Sequence, residues 1–400
     1  MTQALIIGGG IAGPVTAIAL QRAGIGSVVY EAHADSADEA GSWLTVAVNG
    51  LDALRSLDLH AAVMACGFPT ANIELRSGNG RRLAEVPIGG TLADGTLTHT
   101  LRRGDLYRAL RDEALRRGIR CEHGKRLVAA EDDAGGVLAR FADGTTARGD
   151  LLIGADGIHS RTRELIDPDA PKPRYSGLGN VGGYAPASAA TADELAPGGM
   201  TMIFGKRCFF GMTRAPSGEI WWFANPPRRA AIERAELAAI TSQQWRERLA
   251  ELFAGDAGPA ARIVRAATEP VVGTNQYDMP TVPRWHRGPM VIVGDAAHAV
   301  GPSSGQGASM AIEDSLVLAG CLRDTPDISR ALARYEQLRR ARVERVVVHG
   351  ARSGSSKAPG PVGRVVRDML LPWILPRVTR PAAMAWLFEH HVDWDASFAA

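Results

Sequence analysis

Three glycines near the start of the chain have the spacing of a pyrophosphate-binding turn. The pattern consists of Gly8, Gly10 and Gly13, with Ile11 and Ala12 between the last two. The first glycine permits a tight turn, the second lets the backbone approach the phosphates, and the third lets the following helix pack closely on the strand. Unpaired N–H groups at the start of that helix attract phosphate charge. Glu31, which follows the next predicted strand, is placed to accept hydrogen bonds from ribose hydroxyls.

Two further glycine segments lie much later in the chain, at residues 152–157 and 291–298. In the later one, a predicted buried strand ends at Gly294 and Asp295, and this carboxylate could bond the ribityl O3′ of a flavin. A helix beginning near Gly307 would direct its N–H groups at the pyrimidine edge of the flavin, which becomes anionic on reduction. The first motif alone does not separate NAD from FAD, but the three segments together predict FAD.

These residues also have structural explanations. A glycine-rich turn can form without a ligand, and Asp295 could cap a helix or a turn. We favour the ligand-binding interpretation, because a complete βαβ unit surrounds the first motif. We interpret His298 as structural rather than catalytic, because its neighbours all serve to position the cofactor.

The elements around the first motif form a βαβ unit of about 30 residues, the size of a dinucleotide-binding fold. It consists of a strand at 2–7, a helix at 14–23 and a strand at 27–30. The periodicity then predicts a helix at 51–66, a hairpin at 72–76 and 82–87, a helix at 101–117 and a meander at 128–130, 137–141 and 145–148.

Strand-like runs dominate from about residue 175, and helical patterns return after the third glycine segment. The runs are at 201–204, 208–213 and 220–223, with one helix at 242–253, and the later helices are at 309–322 and 328–349. The prolines of the tail suggest short helices packed on the surface. We predict an α/β protein with a Rossmann-like FAD-binding domain, an inserted β-sheet substrate domain and C-terminal helices. The predicted ranges are 1–70, 98–174 and 277–350 for the first, 71–97 and 175–276 for the second, and 351–400 for the tail.

Composition excludes several classes of function. The 400 residues are 46% hydrophobic with a formal net charge of +2, and the basic residues are scattered, so no nucleic-acid partner is indicated. Four cysteines form no metal-binding or paired pattern, which favours free thiols, no metal site and a cytoplasmic location. The apolar run at 4–20 lacks a basic leader and contains the glycine pattern, so we reject a signal peptide. No apolar run is long enough to predict an integral membrane protein.

The motif set resembles that of the para-hydroxybenzoate hydroxylase-type flavin monooxygenases, the single-component (group A) aromatic hydroxylases. The chain looks closest to short members without an added thioredoxin-like domain, and the resemblance covers nearly all of residues 1–350. It implies cofactor binding at the positions that match the family's motifs. These are Gly8, Gly10, Ile11, Ala12, Gly13, Glu31, Arg103, Asp156, Gly294, Asp295, Pro302, Gly305, Gln306 and Gly307.

The resemblance also implies individual roles. Arg103 matches the arginine that lies along the FAD pyrophosphate and ribityl chain, although Arg102 is an ambiguous neighbour. Asp156 matches a segment that handles both FAD and NAD(P)H. The family usually has proline after the histidine, whereas Ala299 follows His298 here, which puts the path of the loop in doubt but not the cofactor.

The reaction implied by the family begins with hydride transfer from NADPH or NADH to FAD. Reduced flavin and O2 then form a C4a-hydroperoxyflavin, which delivers one oxygen atom to an aromatic or polyketide-like small molecule. The protein would hold the substrate near the flavin and exclude water. The assembly is expected to be a monomer or a homodimer.

The substrate pocket is expected between the flavin and the β-sheet domain. Its candidate lining residues are Met202, Phe204, Phe209, Met212, Trp221 and Phe223. Side chains alternate along a strand, so only one parity of this set can face the flavin. His99, Tyr175 and His286 are considered as catalytic bases, but each has a structural explanation and the catalytic base stays unassigned.

Three other functions share parts of this pattern. A flavin-dependent halogenase would need a Trp-x-Trp-x-Ile-Pro signature, whereas Trp221 and Trp222 are adjacent here. An O2-independent flavin reductase is a second alternative, and it would not incorporate oxygen from labelled O2 into its product. A flavin-bound sensor or degenerate scaffold is disfavoured because Asp295 and the loop at 305–307 are intact.

Overall fold

The polypeptide alternates between strands and helices in a computed structural model that describes residues 2–34, 43–133, 135–355 and 361–399. The strands are β1 (Gln3–Ile7), β2 (Gly26–Tyr30), β3 (Trp43–Val46), β4 (Gly67–Pro69), β5 (Asn72–Ser77), β6 (Arg82–Pro87), β7 (His99–Arg102), β8 (Arg120–Glu122), β9 (Leu127–Asp133), β10 (Gly136–Phe141), β11 (Thr146–Gly149), β12 (Leu151–Gly154), β13 (Arg174–Ala185), β14 (Met200–Phe204), β15 (Phe209–Arg214), β16 (Ile220–Asn225), β17 (Thr268–Asp278), β18 (His286–Arg287) and β19 (Met290–Ile292). The helices are α1 (Ala12–Arg22), α2 (Val48–Arg55), α3 (His60–Ala65), α4 (Arg103–Arg116), α5 (Arg161–Ile166), α6 (Arg234–Ala239), α7 (Ser242–Phe253), α8 (Ala260–Arg265), α9 (Asp295–His298), α10 (Gly307–Asp324), α11 (Ile328–Ser355), α12 (Pro361–Val378) and α13 (Pro381–Phe388).

A six-stranded sheet of order β18-β19-β12-β1-β2-β8 forms the first layer. All its neighbouring strands pair in parallel except β18 and β19, which are antiparallel. Its central strands are apolar on both faces, as parallel strands covered by helices must be. The carboxyl ends of β1, β12 and β19 lead directly into the three glycine segments, which places these segments at one edge of the sheet.

A seven-stranded sheet of order β17-β13-β16-β15-β14-β5-β6 forms the second layer. Its strands come from 72–87 and 174–278, and β14 pairs in parallel with β5 across more than a hundred intervening residues. One face packs on α7 and α8 through a buried cluster that contains Phe210, Trp222 and Phe253. The division of the chain into an FAD-binding and a substrate domain stays a prediction.

Two smaller sheets complete the β structure that is described. The predicted meander is confirmed as the antiparallel sheet β11-β10-β9, and the predicted hairpin is confirmed as β5 paired with β6. The second of these smaller sheets, β3-β7-β4, lies where the chain passes into α4.

The single helix predicted at 51–66 is wrong. The structure has two helices there, α2 and α3, because Asp58 adopts φ 56° and interrupts the helical backbone. A left-handed conformation at a residue other than glycine is uncommon, and aspartate is one of the few side chains that tolerate it. The alternation of apolar residues continues through the break, so periodicity alone did not reveal it.

The tail contains longer helices than its prolines suggested. Pro361 and Pro381 each occupy the first turn of a helix, where the missing N–H costs nothing, and α12 continues through Pro372. Pro359 lies outside the described residues. No helix in the described ranges is long and apolar enough to cross a membrane.

Candidate active site

The first two glycine segments meet at Gly8. Its N–H donates a hydrogen bond of 2.8 Å to the Tyr30 carbonyl, and the Ala155 N–H donates one of 2.8 Å to the Ile7 carbonyl. Gly8 has φ 110°, and a Cβ there would overlap the Ala155 carbonyl oxygen. A side chain is therefore excluded by conformation and by space, and the two segments lie in direct contact.

The third glycine segment, at residues 291–298, contacts the other two. The Val293 N–H donates to the Gly154 carbonyl at 3.0 Å. Gly294 has φ 58°, and a Cβ there would lie 3.0 Å from the Cβ of Ala311 and 3.4 Å from that of Ala12. The three segments thus converge around the start of α1, as the sequence predicted.

Gly13 and Gly10 differ in what surrounds them. A Cβ on Gly13 would overlap the Gly8 carbonyl oxygen, because α1 packs directly on the turn. A Cβ on Gly10 would meet nothing within 4 Å. The space beside Gly10 fits a pyrophosphate, and no side chain caps the N–H groups at the start of α1.

These surroundings predict opposite outcomes for two alanine variants. Gly13→Ala should lower the free energy of unfolding by about 2 kcal/mol or more, because the overlap forces the turn and helix apart. Gly10→Ala should leave the stability of the FAD-free protein unchanged and weaken FAD binding, because its methyl group occupies the phosphate space. Thermal unfolding of the FAD-free forms and FAD titration measure the two effects. Equal loss of stability in both variants would contradict this assignment.

Glu31 is fixed beside the first turn. Its Oε2 accepts a hydrogen bond of 2.7 Å from the Gly9 N–H, and its Oε1 accepts one of 2.8 Å from the His33 N–H. An ionised carboxylate has about four acceptor positions, so two backbone bonds leave capacity for ribose hydroxyls. The contact with ribose stays a prediction.

Asp295 and Arg103 face open space. Neither side chain has a hydrogen-bond or ion-pair partner among the residues that the structure describes, and both are exposed to solvent. Burial nevertheless raises the pKa of Asp295, while the charges of His298 and Arg103 act to lower it. Two opposite charges that lie near each other without protein partners are suited to the polar groups of a flavin nucleotide, so this pair fits the cofactor.

Asp156 has a different environment. Its carboxylate accepts bonds from the Ser160 hydroxyl at 2.5 Å, the Thr162 N–H at 2.9 Å and the Thr162 hydroxyl at 3.0 Å. Burial raises its pKa and these hydrogen bonds oppose the rise. The structure thus shows Asp156 stabilising the first turn of α5, and its predicted contact with FAD or NAD(P)H stays untested.

The loop before α10 lies next to Asp295. Pro302–Ser304 forms a 3-10 turn, and Gly305 follows with φ 62°. A Cβ on Gly305 would lie 3.4 Å from the Thr45 hydroxyl, and one on Gly307 would lie 3.9 Å from the Asp295 carboxylate. The structure therefore brings Gly307 beside Asp295 at the N-terminus of α10 and Gly305 beside β3, whereas the Gln306 side chain is buried and does not face Asp295.

Five of the six predicted substrate-lining residues lie on one face of the seven-stranded sheet. They fall in two adjoining clusters whose members from this set are Met202, Phe204, Phe209, Phe223 and Trp221. Met212 lies on the opposite face with Phe210 and Trp222, because its position in β15 has the other parity. The structure does not bring Met212 together with the other five.

Within this face, Trp221 and Phe223 are the two residues that pack against Trp43 of β3. Trp43, on the same strand as Thr45, packs edge-to-face on Phe223 at 5.4 Å, and Tyr184 packs on Trp221 at 5.8 Å. Phe204 is instead covered by α12, where the Arg367 guanidinium lies 4.3 Å from its ring. An aromatic wall is thus connected to the loop at Gly305 through β3, which carries both Trp43 and Thr45.

A profile of the family described as FAD binding domain matches residues 1–349. The chain belongs to this family. The FAD-dependent urate hydroxylase of Klebsiella pneumoniae is 32% identical over 353 residues, which are 86% of this chain and 88% of the relative. The 3-amino-4-hydroxybenzoate 2-monooxygenase PtnB3 of Streptomyces platensis is 34% identical over 398 residues, 96% of this chain and 94% of the relative. The solved structure of Klebsiella pneumoniae HpxO with FAD and uric acid has a TM-score of 0.84 at 28% identity, covering 96% of this chain and 97% of that chain.

The protein is accordingly an FAD-dependent monooxygenase of the para-hydroxybenzoate hydroxylase type that uses NAD(P)H and O2. The predicted family, fold class and cofactors are confirmed. The halogenase and reductase alternatives are not favoured, since these relatives are monooxygenases or hydroxylases. The roles of individual residues stay predictions.

A buried charge network that the sequence patterns did not reveal lies behind the predicted cofactor site of this monooxygenase. Asp314 on α10 accepts bonds from the Gly294 N–H at 2.9 Å, the His298 Nε2 at 2.5 Å and the Arg339 Nε at 2.7 Å. Burial alone would raise the pKa of Asp314, but the charges of His298 and Arg339 and their hydrogen bonds lower it below its usual value. The carboxylate therefore stays ionised and holds the Gly294 turn, and His298 is one of its buried partners; the structural role of His298 stays a prediction.

Glu313 extends this network to the flavin loop. It accepts bonds from Arg339 at 2.6 Å, from Arg342 at 2.8 Å and from the Asn49 amide at 2.7 Å. The same amide of Asn49 donates to the side-chain oxygen of Gln306 at 3.0 Å, and Gln306 is fully buried. The sequence contained one signal for this network, since Glu313 and Asp314 are adjacent in an otherwise apolar helix. Buried carboxylates need cationic partners, so this pair indicates buried arginine or histidine side chains nearby.

The three candidate bases do not converge on the aromatic wall. His99 Nδ1 lies 2.8 Å from the Leu97 carbonyl, and His286 lies 3.6 Å from Glu336. Tyr175 packs edge-to-face on Tyr277, and burial raises its pKa. The catalytic base stays unassigned. A separate cavity of 660 Å³ lies between β2, β8 and the meander, and no predicted site residue lines it.

Proposed function

We propose that this monooxygenase hydroxylates a small aromatic compound held between the flavin and the wall formed by Trp43, Trp221 and Phe223. The observation that carries the proposal is the position of this wall, since Trp43 lies two residues from Thr45 on β3, and Thr45 lies beside Gly305 before the N-terminus of α10. Aromatic rings pack favourably on such a surface. The named relatives, which act on urate and on 3-amino-4-hydroxybenzoate, support an aromatic substrate.

In this proposal, different residues of the chain bind different parts of FAD. FAD, when bound, supplies hydride acceptance and oxygen activation. Asp295 accepts a hydrogen bond from the ribityl chain, and Arg103 binds the pyrophosphate and ribityl region. The N–H groups at Gly307 and the following residues of α10 stabilise negative charge at the pyrimidine edge. Glu31 binds the adenosine ribose, and the turn at Gly10 binds the phosphates.

Arg102 gives the site a polar edge. Its guanidinium lies 4.4 Å from the Tyr184 ring and 5.3 Å from the Trp221 ring, and Glu219 fixes it through a bond of 2.5 Å. Glu219 also accepts a bond of 2.8 Å from the Trp221 indole, so the group is rigid. We assign the remaining N–H groups of Arg102 to an acidic or carbonyl substituent of the substrate.

Arg102→Gln should raise KM for the substrate about tenfold with a smaller change in kcat, because it removes a charge-assisted hydrogen bond of about 1.5 kcal/mol. FAD affinity should stay unchanged. Arg116→Gln, an exposed change at the end of α4 whose arginine pairs with Glu113, is the matched control. Steady-state kinetics measure both variants. An unchanged KM in Arg102→Gln would remove Arg102 from substrate binding.

The proposed function is tested with the FAD-loaded enzyme and a panel of aromatic acids, phenols and fused heteroaromatic compounds. A substrate should stimulate NAD(P)H oxidation, and its product should gain one oxygen atom that comes from labelled O2. Stimulated oxidation that yields only hydrogen peroxide, or a product without the label, would contradict hydroxylation of that compound. Aliphatic ketones in the same panel test for a different reaction, in which the oxygen atom is inserted beside a carbonyl group instead of hydroxylating a ring.

The cellular setting and assembly also remain proposals. All four cysteines lie in the described ranges and none forms a disulfide, which supports the cytoplasm as the location. In the part of the chain that is described, no cluster of three His, Cys, Asp or Glu side chains could hold a metal ion. A monomer or a homodimer is expected.

A further inference from the structure

Helix α12 exposes apolar side chains to solvent. Six large ones lie along it: Val365, Val366, Met369, Leu370, Trp373 and Ile374. Met369 is 60% exposed and Trp373 is 70% exposed, far beyond the level of side chains in a packed core. At 100° per residue, the six side chains fall on one continuous side of the helix. We call this side the apolar face of α12.

The opposite side of α12 is fixed to the protein. The Arg367 guanidinium lies over the ring of Phe204 and donates to Asp368 at 2.7 Å. Leu371 and Leu375 pack against the cluster of Leu75 and its neighbours on the seven-stranded sheet. The usual surface helix turns its apolar side inward and its charged side outward. Here Arg367 and Asp368 lie on the protein side, so the apolar face is left available to a partner.

The apolar face is too large to be an ordinary scatter of exposed residues. Six contiguous side chains of this size reach the ~300–600 Å² of the largest apolar patch on a typical monomer. Such patches mark sites of interaction with proteins or membranes. A tryptophan at the most exposed position is typical of side chains that enter the boundary between lipid head groups and acyl chains.

The charge of this region indicates which partner fits. Residues 345–380 contain seven basic residues and one acidic residue, although the whole chain has a net charge of only +2. The remainder of the chain is therefore net acidic. Arg377 and Arg380, at the end of α12 and directly after it, are exposed, and at 100° per residue Arg377 falls within the arc of the apolar face. A second copy packed on this face would bring two basic segments together, whereas an anionic lipid surface complements them.

We propose that the apolar face of α12 binds the surface of an anionic lipid bilayer, with Met369 and Trp373 entering the head-group boundary and the neighbouring arginines contacting lipid phosphates. The attachment is peripheral, since no described helix could cross a membrane. Apolar burial and basic charge act together, as in amphipathic helices that lie in a membrane interface. This inference does not depend on the identity of the aromatic substrate.

Co-sedimentation of the FAD-loaded full chain with vesicles tests the proposal. The protein should bind vesicles made of equal parts phosphatidylcholine and phosphatidylglycerol. Its affinity for vesicles of phosphatidylcholine alone should be at least tenfold lower. Added salt should release it. The double variant Met369→Glu/Trp373→Glu and the double variant Arg377→Glu/Arg380→Glu should each lose at least tenfold in vesicle affinity.

A matched double variant separates this face from general surface hydrophobicity. Leu115→Glu/Val128→Glu changes two exposed apolar residues elsewhere, at 49% and 41% exposure, and should keep wild-type vesicle binding. FAD absorbance and thermal unfolding confirm that each variant is folded. Absence of vesicle binding by the wild type overturns the proposal. A wild-type dimer that becomes monomeric in Met369→Glu/Trp373→Glu, without vesicle binding, shows that a second copy covers the face instead.

Discussion

Replacing Asp295 by alanine is expected to yield a folded protein that has lost most of its FAD. The carboxylate has no hydrogen-bond partner among the described residues, so its proposed role is entirely toward the ribityl chain. A hydrogen bond to a charged group contributes about 1.5–3 kcal/mol, which corresponds to a tenfold to hundredfold loss of FAD affinity. Absorbance of the purified protein and titration of the FAD-free form with FAD measure this loss.

The control for Asp295→Ala is Asp295→Asn, which keeps an acceptor oxygen and should keep more of the affinity. Burial raises the pKa of Asp295, which means that its charged form is disfavoured in the FAD-free protein. Removing it should therefore not lower the stability of that form. If the alanine variant binds FAD like wild type, Asp295 is not a cofactor ligand. If it unfolds instead, the residue has a structural role.

The second large effect is expected for Arg339→Met. Arg339 is 1% exposed and pairs with both Glu313 and Asp314, so its removal takes one cationic partner from each of two buried carboxylates. Breaking a buried ion pair on one side costs about 3–5 kcal/mol. Urea unfolding, followed by circular dichroism and by FAD release, should show a lower midpoint for both signals.

Arg330→Met is the matched control on the same helix, because Arg330 is exposed at the start of α11. A surface change of this kind should alter stability by no more than about 0.5 kcal/mol. Similar losses in Arg330→Met and Arg339→Met would show that the buried network contributes little. A lower midpoint for FAD release without a change in the protein transition would place the network's effect in the flavin loop alone.

The convergence of the three glycine segments was predictable because the constraints on their glycines are local. Gly8, Gly294 and Gly305 adopt positive φ values, and these conformations select glycine at fixed positions in the sequence. Spacing then determines which turns follow strands and which precede helices. The strand-like sequence at 220–223 predicted that Trp221 and Phe223 lie on a strand, whereas no strand was predicted around Trp43.

What the sequence did not reveal depends on distant contacts. The parity of Met212 could not be assigned before the register of β15 against β16 was known. The partners of Glu313 come from α2 and α11, far away in the chain. The outward orientation of Trp373 is set by what Leu371 packs against, and no local pattern encodes that.

The parallel pairing of β5 with β14 has a consequence for biosynthesis. β5 ends at Ser77 and its neighbour in the sheet begins at Met200, so a nascent chain must expose one edge of the hairpin while more than a hundred further residues leave the ribosome. The six-stranded sheet is completed later still, because β12 cannot pair with β19 until the residues from 290 onward have been synthesised. Such non-local topology slows folding and leaves an unpaired strand edge open to misassembly. High-level expression should therefore respond to chaperones and to lower temperature.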